Sequence, residues 1–452
     1  MTSIEPVQMD LFSCVPDGSR EHHDPQSRDH PRETLRRLLS DDLEFHGEDT
    51  GYATHNFHAF PARFPPQLPR KFISYLTQPG EIVLDPMAGS GTTVVEAMIL
   101  GRYGIGVDID PLAISLASVK TTPIDPGEII RIARPIFQNA IAALHHERNT
   151  LREAFEAYFD SDTKKFIDYW FREDTQLELF CIAREIKAIS DATLRRFFQI
   201  ALSSIIITKS GGVSMAYDLA HTRPHKKEGK IPRSAIEEFQ KRLKKNVKTI
   251  AKLNNLKGKG TILCSDAQAV SLRDDSIDLI VTSPPYASNA IDYMRAHKFS
   301  LVWFGYNIGS LSKKRSDYIG GERIRNSPAY ALPEYTEYII SQLGDRDLKK
   351  AHVLRRYYSE MYLCLSEMYR VLKPKRTAVV VVGSSTMRGV NIEAGRCLAE
   401  IGQNVGFDLV GIGQRRLDRD RRMMPAGIGG NSRSRIEERM HKEYVLGFCK
   451  LK

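Results

Sequence analysis

The sequence is short of cysteine and of long apolar runs. Its six cysteines are scattered over the whole chain and none forms a C-x-x-C pair, which argues against a disulfide framework and a structural zinc site. The longest strongly apolar stretch, residues 197–208, is too short to span a bilayer. The first ten residues lack the basic and apolar regions of a signal peptide. We therefore expect a cytoplasmic protein without a membrane partner.

The composition is that of a globular protein with one strongly basic segment. The 452 residues are 42% hydrophobic and 27% charged, and the net charge is +10. Residues 209–259 contain 14 lysines and arginines against four acids, an excess of 10, so the rest of the chain is close to neutral. A basic loop (HTRPHKKEGK) and a helical pattern with a basic face (AIEEFQKRLKKNVKTIAKL) lie next to each other there. Contact with phosphates and a solvated surface are about equally consistent with this pattern.

The pattern of apolar residues divides the chain into four parts. Residues 1–45 are polar and lack periodicity, which predicts a flexible arm. Residues 46–119 alternate between strand and helix patterns, residues 120–257 are helical only, and strands resume in 258–452. The simplest interpretation is a doubly wound, Rossmann-like α/β domain with a large helical insertion. A second Arg-rich run at 415–442 contains PAGIGGNS, a loop pattern.

A glycine-rich turn, LDPMAGSGTT, joins the first predicted strand to its helix. Small residues there allow backbone N–H groups to approach a ligand at the helix N-terminus. A nucleoside-triphosphate loop is excluded because the turn has no lysine, and a dinucleotide fingerprint is incomplete because Val94 occupies the third glycine position. Asp108 ends the next strand and suits the ribose hydroxyls of NAD or S-adenosylmethionine.

The segment TSPPY follows a second apolar strand and carries the chemistry of a substrate site. Two consecutive prolines have fixed φ and no N–H, so they form a rigid turn whose carbonyls are free to accept hydrogen bonds. Ser283 adds a hydroxyl and Tyr286 a flat aromatic surface. These hydrogen-bond acceptors, next to an aromatic surface, fit a ligand that has a planar ring with an exocyclic NH₂ group. The following segment, Asp292 to Lys298, could equally be a substrate-facing helix start or a capped, solvated one.

DPMAGSGTT, VDID and TSPPY, in this order, resemble the S-adenosylmethionine-dependent DNA amino-methyltransferases. The upstream segment HNFHAFPARFPPQLPRKFI is similar to that family's cofactor-side helix motif, and with LDPMAGSGTT it is closest to the cytosine-N4 branch. Ser283 favours the same branch, because adenine enzymes usually carry Asp or Asn there. The cofactor motifs precede SPPY, which is not the permuted order common among cytosine-N4 enzymes. The resemblance covers roughly residues 50–115 and 260–450.

Carried over by position, the resemblance implies a site for each end of the cofactor. The methionine end would be lined by Asp85, Ala88, Gly89, Ser90, Gly91 and Thr92. Phe60 and Pro61 would close the carboxylate side, Asp108 would take the ribose hydroxyls, and Asp266 would lie beside the adenine. The catalytic turn would be Ser283, Pro284, Pro285 and Tyr286, in which Ser283 and the Pro284 carbonyl accept the amine hydrogens and Tyr286 stacks on the base.

The resemblance implies methylation of cytosine N4 in double-stranded DNA, with the base flipped out of the helix. Carbon-5 methylation would need a Pro-Cys nucleophile, and no cysteine follows a proline here. Adenine-N6 methylation is the first alternative. An RNA amino-methyltransferase, an inactive DNA-binding protein and an NAD-dependent enzyme are weaker ones. Residues 120–257 are the candidate region for recognition of the DNA sequence. Restriction or defence proteins are candidate partners. Binding to DNA would place the protein at the nucleoid. No metal is expected, although His55 and His58 are close in sequence.

Overall fold

The computed structural model describes residues 30–61, 63–209, 211–220, 224–287, 292–321, 330–416 and 442–452. In these ranges the chain forms one large mixed sheet, one two-stranded sheet and fifteen α-helices. The described helices include none that is both long and apolar enough to cross a bilayer.

Seven strands form the large sheet in the order β3-β2-β1-β4-β5-β9-β8. The strands are β1 (Ile82–Asp85), β2 (Tyr103–Asp108), β3 (Lys259–Cys264), β4 (Ile277–Thr282), β5 (Leu372–Gly383), β8 (Asp408–Arg416) and β9 (Lys442–Cys449). The first five are parallel and β9 runs antiparallel between β5 and β8. Two short strands, β6 (Thr386–Met387) and β7 (Val390–Asn391), pair separately. The predicted doubly wound α/β fold is confirmed.

The helices occupy the connections between these strands. Those of the sheet domain are α1 (Pro31–Ser40), α2 (Gln67–Leu76), α3 (Thr92–Ile99), α4 (Pro111–Thr121), α11 (Tyr293–Leu301), α12 (Ile308–Lys314), α13 (Glu334–Gly344), α14 (Leu348–Val371) and α15 (Ala394–Val405). Between α4 and β3 lie α5 (Pro126–His146), α6 (Arg148–Tyr158), α7 (Ser161–Trp170), α8 (Glu173–Lys187), α9 (Ala192–Ile206) and α10 (Ala235–Ile250). Three short 3₁₀ turns follow α10, α11 and α12.

The apolar strands are buried because helices cover both faces of the sheet. All six residues of β4 are buried, as expected for a continuous apolar run in a parallel sheet. Gly104 of β2 lets α3 pack closely, because a Cβ there would lie 2.9 Å from a methyl carbon of Val94. One hydrophobic core combines α4 and α11 with helices α5–α10, so the segment between α4 and β3 packs against the helix that follows TSPPY.

The predicted flexible arm, residues 1–45, is wrong for the helix at residues 31–40. Residues 31–40 form a helix whose Leu35, Leu38 and Leu39 are buried against the outer strands of the sheet. The sheet accommodates this helix at glycines: a Cβ at Gly447 would lie 2.5 Å from Leu39 Cδ1. The leucines recur at helical spacing, but they are embedded among charged residues, which masked the pattern. Residues 1–29 lie outside the described part of the chain.

This packing predicts a large effect of Leu38→Ala on stability. Leu38 is 1% exposed, so its truncation should lower the free energy of unfolding by about 3 kcal/mol through lost burial and a cavity. Arg36→Ala on the exposed face of the same helix removes only an exposed ion pair with Glu33 and should change it by less than about 0.5 kcal/mol. Urea unfolding of both variants measures the difference, and equal losses would show that α1 is not anchored through its leucines.

Candidate active site

The site lies where the parallel strands β1, β2 and β4 end. The carboxyl ends of neighbouring parallel strands meet at one edge of the sheet, and ligands bind in the crevice outside them. Asp85 is the last residue of β1, Asp108 the last of β2, and Ser283 follows β4 directly. The three predicted motifs are therefore brought together by the topology.

The glycine-rich turn depends on two glycines in the left-handed region. Gly89 has φ +49° and Gly91 has φ +75°, values that L side chains rarely adopt. Gly91 caps α3, and a Cβ there would lie 2.9 Å from that of Ala117 in α4. The Gly89 N–H donates to Asp108 Oδ2 over 2.8 Å, which ties the turn to the end of β2. The turn thus presents the N-terminus of α3 at the edge of the sheet.

Two buried carboxylates flank this turn. Asp85 Oδ1 accepts a hydrogen bond from the Thr282 hydroxyl over 2.7 Å, and this bond connects β1 to the residue before Ser283. Burial raises the pKa of Asp85 to about 6. Burial, together with the negative charge of Asp110, raises the pKa of Asp108 to about 6 as well. Near neutral pH both carboxylates are mainly ionised and can accept hydrogen bonds from a ligand.

Phe60 covers the glycine-rich turn from the opposite side. A Cβ at Gly89 would lie 3.4 Å from the Phe60 ring. The ring stacks on Tyr293 of α11 with 5.7 Å between centroids and lies 5.3 Å from His297. His297 Nδ1 is bonded to Asp110 Oδ2 over 2.9 Å. Of the segment left open by the sequence, Tyr293 and His297 therefore belong to the site.

A cavity of about 390 Å³ extends beyond Asp108 and has the size of a small-molecule site. Asp266 lies on its wall, where its Oδ1 accepts from the Gln268 N–H over 2.9 Å. The cavity is lined by Ile109, Asp266, Gln268, Lys314, Asp317, Arg356 and Glu360. Apart from Asp266, these residues were not predicted. Ile109 follows Asp108 directly and could have been found from that position. The last four come from α12, the 3₁₀ turn after it and α14, and only the tertiary fold brings them there.

The TSPPY turn is held at both ends by the neighbouring strands. The Ser283 hydroxyl donates to the Val381 carbonyl of β5 over 3.0 Å. The Tyr286 hydroxyl donates to Glu443 Oε1 of β9 over 2.8 Å. Ser283 and Tyr286 are partly exposed, so both remain accessible at the edge of the sheet.

Comparison with known proteins shows what the chain is similar to. Residues 20–118 match the family model N6_N4_Mtase, described as a DNA methylase. Type II methyltransferase M.MvaI of Kocuria varians is 27% identical over 402 residues, which cover 82% of this chain and 86% of that protein. Type II methyltransferase M.AvaI of Nostoc sp. is 22% identical over 392 residues, 78% of this chain and 76% of that protein. The chain is therefore similar to DNA amino-methyltransferases.

S-adenosylmethionine is the cofactor that this similarity implies, and the residues present fit that molecule. The free N–H groups at the start of α3 suit the methionine carboxylate. The ionised Asp108 suits two ribose hydroxyls, and the cavity beyond it has the size and the acceptor groups for an adenine. The sequence-predicted residues from Asp85 to Thr92 form the turn, which contacts Phe60 and Asp108 through Gly89. Asp266 lies on the wall of the cavity beyond Asp108. That these residues bind the cofactor stays a prediction.

Two further residues, which the sequence did not predict, support the glycine-rich turn. Lys120 is 1% exposed and its Nζ donates to the Ser90 carbonyl over 2.6 Å. Burial holds the pKa of Lys120 well below its usual range. No local pattern singles out this lysine, which lies in the last turn of α4. Glu96 of α3, which is buried, bonds to His55 over 2.6 Å and fixes the upstream segment against the turn helix.

The two histidines of the upstream segment have structural roles. His55 is hydrogen-bonded to Glu96, and His58 Nε2 is hydrogen-bonded to the Ser203 hydroxyl of α9 over 2.8 Å. Burial lowers the pKa of His58 to about 3, so it is neutral near physiological pH. Ser203 also donates to Ser300 of α11 over 2.8 Å. The segment therefore joins α3, α9 and α11 around the methyltransferase site.

Proposed function

We propose that this enzyme transfers a methyl group from S-adenosylmethionine to the exocyclic N4 amine of a cytosine flipped out of duplex DNA. The observation that carries the proposal is the hydrogen bond that the Ser283 hydroxyl donates to the Val381 carbonyl. Because the hydroxyl proton of Ser283 is donated to Val381, its oxygen can act toward a substrate only as an acceptor. A serine used in this way accepts an N–H from the target amine.

The remaining roles follow from the chemistry of an aromatic amine. The lone pair of such a nitrogen is delocalised into the ring, which makes it a poor nucleophile. Ser283 Oγ and the Pro284 carbonyl accept its two hydrogens, which draws the nitrogen toward tetrahedral geometry and takes the lone pair out of conjugation with the ring. S-adenosylmethionine, when bound, supplies the electrophilic methyl group. As the N–C bond forms and the S–C bond breaks, S-adenosylhomocysteine would leave and the amine would lose one proton to solvent. Most of the rate increase then comes from in-line positioning and from preorganised acceptors, without a covalent intermediate on the protein.

The Ser-based assignment to cytosine rests on the resemblance, and adenine N6 is the competing target. The test is incubation of the purified protein with unmethylated duplex DNA and S-adenosylmethionine, followed by digestion to nucleosides and mass spectrometry. N4-methylcytosine is the expected product. N6-methyladenine would keep the mechanism and overturn the base assignment. Absence of both products, with cofactor binding intact, would contradict DNA methylation by this chain alone and direct the search to RNA or to a missing partner.

We further propose that residues 120–257 contain the DNA-binding and recognition region. The described residues of 209–259 carry most of the chain's excess positive charge, and Lys244 and Lys245 of α10 are exposed. The relatives are named Type II methyltransferases, which supports a place beside a cognate nuclease. The Arg-rich run predicted at 415–442 lies mostly outside the described residues, as does part of the basic loop.

DNA affinity should fall steeply with salt because phosphate contacts release counterions. We expect the double variant Lys244→Gln/Lys245→Gln to reduce the slope of log K against log salt by about 1 to 2, since each phosphate contact contributes roughly 0.9. The matched control, Arg36→Gln/Lys349→Gln, removes two exposed charges outside this segment and should keep the wild-type slope. Fluorescence anisotropy across a salt series gives both slopes. A flat response, or equal slopes in both variants, would place the DNA contact elsewhere.

A further inference from the structure

The tyrosine of the TSPPY turn is held by a strand that lies far away in the sequence. Its hydroxyl donates to Glu443 Oε1 over 2.8 Å, across a separation of 157 residues. Its ring lies against the backbone of Gly383, because a Cβ at that position would come within 2.6 Å of Tyr286 Cε2. Gly383 and Glu443 are direct neighbours in the register of β5 and β9. The ring thus rests on one strand while its hydroxyl is held by the next.

Glu443 is itself a charged group in a buried place. It is 6% exposed, and its second oxygen lies 3.4 Å from Nε of Arg415, which is 3% exposed. Arg415 faces it in the register of β8 and β9. A buried carboxylate is costly unless an opposite charge compensates it, and Arg415 supplies that charge. Burial and the neighbouring Glu443 hold the pKa of Tyr286 well above its usual value, so the phenol remains a donor to the carboxylate.

The arrangement restricts the one part of the turn that the prolines leave free. Pro284 and Pro285 fix the backbone, and Ser283 is held by Val381. The side chain of Tyr286 still has two rotatable bonds. A hydrogen bond to a charged acceptor is about twice as strong as a neutral one, and here it acts on the tip of the ring, where it limits rotation about χ1. The contact of the ring with the Gly383 backbone limits rotation about χ2.

We propose that Glu443 is a positioning residue for methyl transfer: through its bond to the Tyr286 hydroxyl it orients the ring on which the target base stacks. This inference rests on the proposed function. Glu443 does not touch the base or the cofactor in this mechanism. It acts only through Tyr286, and Arg415 is its ion-pair partner.

The test compares single-turnover methyl transfer in three variants. Tyr286→Phe keeps the ring and removes the hydroxyl, and Glu443→Gln keeps the shape of the carboxylate with a weaker acceptor. We expect each to slow the transfer step roughly tenfold, with cofactor and DNA affinities within about twofold of the wild type. The double variant should be no slower than the slower single variant, because both changes break the same bond. Asp408→Asn removes the ion pair with Arg32 at the other end of β8 and serves as the matched control.

A second readout does not depend on catalysis. With 3-fluorotyrosine incorporated, the fluorine resonance of Tyr286 is identified by its absence in Tyr286→Phe. It should shift in Glu443→Gln and stay in place in Asp408→Asn. If Glu443→Gln does not fold, Tyr286→Phe alone decides, since it leaves the Glu443–Arg415 pair intact.

The outcomes separate this inference from the proposed function. A wild-type protein that methylates no DNA contradicts the proposed function and any role of Glu443 in it. An active wild type together with a Tyr286→Phe variant of equal rate contradicts the positioning role alone. A resonance that does not move in Glu443→Gln contradicts it as well, and additive losses in the double variant would show that the two residues act separately.

Discussion

Ser283→Ala is expected to slow methyl transfer by roughly a hundredfold or more, the range seen when one preorganised group is removed from a site of charge development. The variant loses the acceptor that turns the amine lone pair toward the methyl group. Tyr286→Ala should give a loss of similar size, because it removes the stacking surface. Neither side chain lines the glycine-rich turn or the cavity beyond Asp108, so both variants should bind S-adenosylmethionine as the wild type does.

The measurement is single-turnover transfer on DNA, with cofactor affinity determined by calorimetry on the same preparations. Ser276→Ala is the matched control: it removes a hydroxyl at the opposite end of β4, where Ser276 Oγ donates to the Arg273 carbonyl. Full activity is expected in this control. If cofactor binding fell together with transfer in Ser283→Ala, the turn would belong to the cofactor side and the assignment of roles would be wrong.

Asp108→Ala should reduce affinity for S-adenosylmethionine by about a hundredfold or more, since two hydrogen bonds to a charged acceptor are lost. The effect has a second source in the protein itself. Asp108 accepts from the N–H groups of both Gly89 and Asp110, so its removal also loosens the glycine-rich turn. Asp108→Asn, which retains one acceptor oxygen, should lose less than the alanine variant.

Calorimetric titration without DNA isolates this effect from substrate binding. Asp266→Ala, on the exposed wall of the cavity, should cost affinity by only about tenfold, because a solvated carboxylate contributes less. Asp274→Ala, an exposed carboxylate paired with Arg370 away from the crevice, serves as the control and should bind normally. Undiminished affinity of Asp108→Ala would mean that the ribose binds elsewhere.

The parts of the site that the sequence predicts are those encoded by short continuous segments. Glycine spacing predicts the turn because the turn requires positive φ at Gly89 and Gly91, and glycine adopts positive φ without strain. Apolar runs predict β1 and β4 because both strands are buried on two faces. Each of these signals depends on residues within about ten positions of one another, so no tertiary information is required.

The parts that the sequence does not predict depend on contacts between distant segments. Glu443 meets Tyr286 only because β9 inserts antiparallel between β5 and β8. The cavity wall from α12 and α14 is assembled in the same way. Helix α1 was missed for another reason: Leu35, Leu38 and Leu39 do have helical spacing, but a ten-residue helix among charges gives a weak signal. Apart from the N-terminal arm, the division of the chain into four regions stays a prediction.

The helices between α4 and β3 leave the sheet and return to it at one point. β2 and β3 are adjacent parallel strands, and a Cβ at Gly260 would lie 2.9 Å from that of Thr121, the last residue of α4. A segment whose ends meet can be lengthened, shortened or replaced while the strands on either side keep their register. If these helices read DNA, new target sequences could arise by exchange of this one segment between genes, with the methyl-transfer chemistry inherited unchanged.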